Sequence, residues 1–281
     1  EKSAARHTTL VDELRKKRGL VTRKLPLSSL ATKRMLNDIP RCSVQGTITS
    51  NNVSTTTRLS SEANLTMELD QEMSYVRGEY VRLTISEDQS GVYTYVDLEL
   101  IDVSTCKTAP DLYIDFWHCN STGVYSGDLG PGNGAIQAIF PTWSDKTFLR
   151  GIQPTNGEGN APFETIFPGI SFTGCLTEPC ASGHYSGRAT HFNTDIRSQG
   201  IVFGRHFYRP SIHYIGQIFF DQDLISSVEA ISLYNTNIIK ITTNSVDQVF
   251  VLGFGSTILN TSTLVMTSRM VCCSGVSSVS T

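Results

Sequence analysis

A mainly β chain, with an antiparallel β-sandwich core and short N-terminal helices, is the fold class this sequence predicts, on three observations. Tyr93 to Ile101 reads Tyr-Thr-Tyr-Val-Asp-Leu-Glu-Leu-Ile, apolar and polar residues alternating as they do when a strand buries one face. Further short segments of strand character follow at Leu112–His118, Thr147–Ile152, Ala161–Phe167, His184–Ile196, Ile201–Tyr208 and His213–Phe220. Turn-forming Gly, Pro, Asn and Asp separate them, at 128–134, 154–159 and Pro168-Gly169, which favours a sandwich over βαβ units.

Ahead of the strands, Thr8–Arg18 and Leu27–Asn37 carry apolar residues at helical spacing with basic residues between them. The run Arg15-Lys16-Lys17-Arg18 reads as a solvated helix end, or as a site for a processing protease. A helix is expected near Asp223–Ile231, with Asp221 or Asp223 capping its start. The chain divides into a helical, basic segment (1–41), a Ser/Thr/Asn-rich linker (42–63), the β-sandwich domain (64–250) and a divergent tail (251–281). The tail carries an apolar patch and the adjacent pair Cys272-Cys273, and its sequence assigns it no role.

The 281 residues are enough to bury a substantial core. With 17% charged residues and a net charge of −3, the chain has no electrostatic case for binding nucleic acid. No apolar run approaches the roughly 18 residues a membrane span requires, so no membrane partner is expected. The sequence begins at Glu1 rather than Met, which predicts a missing upstream segment. Asn-x-Ser/Thr acceptors stand at Asn52, Asn64, Asn120 and Asn260. Of seven cysteines, Cys175 and Cys180 sit close enough for a local disulfide and lack zinc-site spacing. Together these predict a secreted glycoprotein, and the odd cysteine count leaves one thiol unpaired or bonded to another chain.

The chemistry is concentrated in Gly183-His-Tyr-Ser-Gly-Arg-Ala-Thr-His-Phe-Asn193. On one extended strand, Tyr185, Gly187, Ala189, His191 and Asn193 share a face. Two small residues then leave room between phenol and imidazole. A phenolate oxygen is a hard anionic donor that suits a trivalent metal, and such a cation lowers the tyrosine pKa well below about 10. A Tyr and a His on one strand are more often a packing pair, so this spacing alone does not define a metal site. Three further blocks add to it: Asp115–Gly127, which puts Tyr125 in a Gly-flanked turn; Thr147–Asn156 with Phe163–Gly169; and Ile215–Leu224.

These four blocks, in this order, resemble the catalytic domain of intradiol ring-cleavage dioxygenases, specifically the fungal extracellular branch, over about 78–250. The resemblance implies a β-sandwich and a mononuclear non-haem iron(III), Fe(3+), held by two tyrosines and two histidines. It implies a small aromatic diol of the catechol type and dioxygen as substrates, with cleavage between the hydroxylated carbons to a muconate-type product. By the same resemblance Tyr125 and Tyr185 match the tyrosine ligands and His191 the first ligand histidine. Arg188 matches the arginine that stabilises charge on the activated ring, and Gln217 a glutamine near the dioxygen and substrate pocket. Trp117 and His118 fit the first block as packing residues.

The sequence departs from the family in three places. Where the second ligand histidine is expected stands Asn193, a neutral and weaker donor that is retained here as a candidate metal ligand. An insertion, Ile170–Gly183, precedes Tyr185, and the tail beyond Phe250 matches nothing in the family. Arg188 would also face away from Tyr185 and His191 on an unbent strand, so the resemblance requires a bend near Gly187. Two functions follow: an intradiol dioxygenase, or a catalytically impaired, secreted β-sandwich binding protein descended from one.

Overall fold

The computed structural model describes residues 2–19, 76, 80–102, 107–127, 145–173, 186–198, 201–203, 206–208, 212–237, 240–247, 250–251, 260–262 and 265–272. Strands β1 (Tyr93–Asp102), β2 (Lys107–Thr108), β3 (Tyr113–Trp117), β4 (Arg150–Pro154) and β5 (Asn160–Ile166) come first. The short β6 (Phe172–Thr173) and β7 (Ser186–Gly187) follow, then β8 (His191–Arg197), β9 (Ile201–Phe203), β10 (His206–Tyr208) and β11 (Ile212–Phe219). Strands β12 (Asn260–Ser262) and β13 (Val265–Cys272) come from the segment to which the sequence assigned no role.

One sheet runs β12-β13-β1-β2, with β5 also paired to β1; the second runs β11-β8-β3-β4. Hairpins β9–β10 and β6–β7 stand apart from both. Pairing is antiparallel except that β13 lies parallel to β1, from Tyr95↔Val265 to Asp102↔Cys272. Strand alternation builds the sandwich. Val96, Leu98 and Leu100 of β1 and Phe163 of β5 meet Ile114 and Phe116 of β3, Phe192 and Ile196 of β8, and Ile218 of β11. The Phe116 ring stacks on Phe163 at 4.6 Å between centroids and tilts against Phe192 at 4.7 Å. Each fully buried Phe is worth roughly 2–3 kcal/mol of transfer free energy, so this layer is what holds the sheets together.

The other face of β1 carries Tyr93, Tyr95, Asp97 and Glu99, and helix α1 (Lys2–Lys17) reaches it. Arg6 donates to Asp97 Oδ2 and to Asn160 Oδ1, each at 2.5 Å, and the Arg18 guanidinium sits 3.2 Å above the Tyr93 ring centroid. The basic run therefore forms the last turn of α1, where cations complement the helix dipole, and Gly19 at φ 67° ends it. Helix α1 starts earlier than the apolar spacing predicts, because Ala4 and Ala5 propagate a helix without supplying a hydrophobic face. The second expected helix, 27–37, lies outside the described residues.

Helix α2 (Gln222–Glu229) is capped by Asp221, whose side chain accepts from Asp223 N, and it turns Ile225 and Val228 into the core. Tyr234 ties the following 3-10 turn down, donating to Phe167 O at 2.6 Å and accepting from Val92 N at 3.0 Å. Glu229, at the end of α2, is also buried, and burial pushes its carboxyl up to about 7. A raised carboxyl pKa favours the fold below the unfolded value near 4.5, and that contribution is lost as pH rises through 7. Glu229→Gln should therefore match the parent in stability near pH 4. Its advantage should grow between about pH 4.5 and 7, to on the order of 2–3 kcal/mol, and level off above. Denaturant unfolding at a series of pH values measures this, and a pH-independent gap between the two proteins would contradict it.

Candidate metal centre

Strands that bury one face in a sandwich present the alternate residues on the other, and here register decides which of them meet. Trp117 of β3 lies opposite Asn193 of β8, and Asn193 opposite Gln217 of β11, so the three form one row across the sheet. The next row pairs His191 with Phe219. Every residue of β8 is buried, so this face is covered as completely as the core face.

Tyr125 is delivered to the row by a tight loop. The Asn120 side chain accepts from Thr122 N, Thr122 Oγ1 and Val124 N at 2.9–3.0 Å, the pattern by which Asn folds a chain back on itself. Gly123 supplies the φ of 84° that the turn needs. Beyond the tyrosine, Ser126 Oγ donates to Phe148 O at 2.5 Å, and Arg150 Nε donates to Ser126 O at 2.8 Å. Gly169 packs from the other side, its N donating to Asn120 O at 3.1 Å and its O accepting from Cys119 Sγ at 3.3 Å. Asn120 is thus buried and occupied, and does not offer the glycan acceptor its triplet predicts. Asn52 and Asn64 lie outside the described residues, as does the expected Cys175–Cys180 bridge.

The short β7 ends at Gly187 in its hairpin with β6, and the chain enters the second sheet only at His191, so the required bend is present over residues 188–190. Of the described residues expected to share one face, His191 and Asn193 do so on β8, whereas Gly187 belongs to β7 and Ala189 to the connection between the two strands. Arg188, turned inward, donates through Nε to Asp247 Oδ2 at 2.9 Å and through Nη2 to Gln217 Oε1 at 2.5 Å. Gln217 Nε2 donates to Asn193 Oδ1 at 3.0 Å, and Asn193 Nδ2 donates to the Tyr125 hydroxyl at 3.3 Å and more weakly to Trp117 O at 3.5 Å. Partner chemistry fixes these amide orientations. Arginine only donates, so Gln217 must turn its oxygen to it, and each amide downstream follows.

His191 is buried, and its Nδ1 lies 2.7 Å from Ala189 O. A carbonyl only accepts, so Nδ1 carries the proton and the neutral ring keeps its lone pair on Nε2. Burial, then the Arg188 charge, push His191 down to about 4, so the imidazole is neutral at pH 7. The ring also meets the Asn193 side chain. Burial raises the Tyr125 phenol above its ordinary 10.0, and hydrogen bonds from Ser171 and Asn193 oppose that. His118 spends both ring nitrogens, on Cys119 O and Thr165 Oγ1 at 2.7 Å each, which matches its reading as a packing residue.

The structure thus brings together Tyr125, Arg188, His191, Asn193 and Gln217; Tyr185 lies outside the described residues. The phenol oxygen of Tyr125 and Nε2 of His191 fit a ferric ion in donor chemistry. Asn193 fits less well, since its one acceptor oxygen is taken by Gln217 and it shows Tyr125 an N–H. Among the described residues, no three His, Cys, Asp or Glu side chains gather as a ligand set. Sequence reasoning missed Asp247, an Asp in a polar turn with no motif around it.

This sandwich is the fold of the intradiol ring-cleavage dioxygenases. No protein-family model and no curated protein sequence matches the chain, but solved structures do. An intradiol ring-cleavage dioxygenase from Tetranychus urticae is similar with a TM-score of 0.56 and 26% identity, covering 72% of this chain and 91% of that one. A second crystallised dioxygenase gives 0.55 and 25% over the same shares, 72% and 91%. Catechol 1,2-dioxygenase from Pseudomonas arvilla C-1 aligns at 15% identity with a TM-score of 0.44, covering 76% of this chain and 69% of that one.

The Tyr125 loop generates one expectation. A Cβ at Gly169 would overlap the Ser121 carbonyl, and backbone does not yield as a side-chain tip does. Gly169→Ala should cost about 1–3 kcal/mol and displace the 120–126 loop. Thermal unfolding and the tyrosine near-UV signal measure the two effects, and an unchanged Tm would show that the loop is not held this way.

Proposed function

We propose that this chain cleaves catechol-type aromatic diols between their two hydroxylated carbons, adding both atoms of dioxygen at one iron(III) and releasing a muconate-type diacid. The observation that supports this most is the convergence of Tyr125, Arg188, His191 and Gln217, from well-separated parts of the sequence, on one buried face. Tyr125 and His191, with Tyr185, would hold the metal. When bound, iron(III) would ionise the tyrosines and, chelated by the diol, draw electron density from its ring.

The chain's own residues supply the rest. The Ala189 carbonyl keeps the His191 lone pair on Nε2. Arg188, held by Asp247 and Gln217, places a fixed positive charge beside His191, where an anionic diol gains from it. Trp117 and Phe219 give the same face apolar area for an aromatic ring. Asn193 acts in this reading as a hydrogen-bond donor to Tyr125, which leaves the metal one protein ligand short. The proposal includes secretion and the boundaries at 41/42 and 63/64; the expected boundary at 250/251 is not kept, because β13 pairs with β1 and belongs to the sandwich.

A second reading, a secreted aromatic-binding protein without turnover, is favoured by that same Asn193 orientation. The two readings separate on one preparation. Loading with iron(III) should give a burgundy protein through phenolate-to-metal charge transfer, with oxygen uptake on catechol or hydroxyquinol. Colour with no uptake supports the binding protein, and a colourless protein rules out the ferric centre. Asn193→His should tighten iron about 10- to 100-fold, the scale on which ligand environments act. Unchanged affinity would show that the missing imidazole is not what limits the site.

A further inference from the structure

The residues that touch Tyr125 and His191 are oriented from a distance, and the orientation starts at Asp247. This carboxylate lies at the end of a turn beyond the Tyr234 3-10 turn, outside all the strands, and is 2% exposed. Its two oxygens do different work. Oδ1 accepts from Phe250 N at 2.9 Å, an ordinary cap on the turn that follows. Oδ2 accepts from Arg188 Nε at 2.9 Å and from Ala189 N at 2.8 Å, so it holds both the guanidinium and the backbone bend that aims it. Burial alone would raise this carboxyl. The Arg188 charge and the hydrogen bonds from Arg188, Phe250 N and Ala189 N outweigh it and hold the group below its ordinary 3.8.

We propose that Asp247 is a positioning residue: by anchoring Arg188 it sets the direction of the amides of Gln217 and Asn193, so that Tyr125 receives an N–H rather than a carbonyl oxygen. The relay has a polarity because each link permits one sense only. Asp247 accepts, Arg188 donates, Gln217 accepts on one side and donates on the other, and Asn193 repeats the pattern. Reversing one amide would set two donors or two acceptors against each other in a buried site, and neither arrangement keeps its hydrogen bonds. The Arg188–Asp247 side chains are 8% and 0% exposed, so removing the carboxylate takes a buried counter-charge from the guanidinium and loosens its hold on Nε. The consequence for a metal rests on the ferric reading above; the relay itself does not.

The test separates anchoring from capping. Asp247→Asn keeps a good cap and loses the charge, whereas Asp247→Glu keeps the charge on a side chain poorly suited to the cap. In the metal-free, 15N-labelled full chain, the Arg188 Nε–H and the Asn193 side-chain amide are followed by NMR, assigned with Arg188→Lys and Asn193→Ala. Anchoring predicts that Asp247→Asn speeds Arg188 Nε–H exchange at least roughly tenfold and moves the Asn193 amide signals, three links away, while Asp247→Glu preserves both. The opposite order, with Asp247→Asn silent and Asp247→Glu disturbed, would show a cap only and overturn the proposal.

If Asp247→Asn does not fold, Gln217→Glu carries the test. A carboxylate has no proton for Asn193 Oδ1, so the Asn193 amide must turn over and its signals must shift; unshifted signals overturn the relay. On iron loading, the turned amide would face Tyr125 with an acceptor, and iron(III) affinity should fall about 10- to 100-fold. A parent protein that takes up no iron would defeat the ferric reading alone, since the amide and guanidinium signals are read without metal.

Discussion

Strand β8 is buried on both faces, and a strand in that position has to satisfy its polar side without water. One side is simple: Phe192 and Ile196 enter the sandwich core. The other carries His191, Asn193, Asp195 and Arg197, all buried, and each needs a partner from another part of the chain. The architecture of the site follows from that requirement. Tyr125 arrives on a loop, Arg188 on a bend, Gln217 on the neighbouring strand and Asp247 on a turn, and together they close the polar face from the first row to the bend.

The same face solves the problem differently further along. Asp115 and Asp195 stand opposite each other in register, two carboxylates that would repel if alone. Arg197 lies between them, its Nη2 2.5 Å from Asp195 Oδ2 and its Nε 3.6 Å from Asp115 Oδ2. Such a cluster gives little net stability against apolar packing, but it penalises slippage of β3 against β8, because a shifted register would separate the charges. That register puts Trp117 beside Asn193, so the charge cluster at one end of the face supports the geometry of the site at the other.

The outer face of the first sheet shows the same logic with a different partner. Asp97 and Glu99 are buried on β1 although the core lies behind them. Arg6 of α1 meets Asp97, and burial together with Asp97 and Glu164 pushes the Tyr95 phenol up to about 12. A basic N-terminal helix on an acidic, tyrosine-bearing sheet face gives the basic run at Arg15–Arg18 a structural context. Strand β13 then fills the remaining side of β1 in parallel, and the tail becomes part of the sheet rather than an appendage.

Much of this was legible in the residues themselves. Alternation located β1, short segments of strand character between turn residues located β3, β5 and β11, and an Asp at 221 or 223 announced α2, the structure choosing Asp221. The candidate site residues were legible as chemistry, since phenol, imidazole and guanidinium side chains are scarce and their blocks are distinctive. What the linear order does not contain is which strands lie side by side and where the chain bends. The break at 188–190 defeated strand parity because a single turn reverses it. Asp247 was invisible because its link to the site comes from Arg188 and Ala189, the first of them 59 residues away in sequence and 2.9 Å away in space. The sequence determined the fold class and the reactive groups, since those depend on residue type and local period. Tertiary structure alone decided which way the Asn193 amide points, because a hydrogen-bond direction belongs to its partners rather than to the residue.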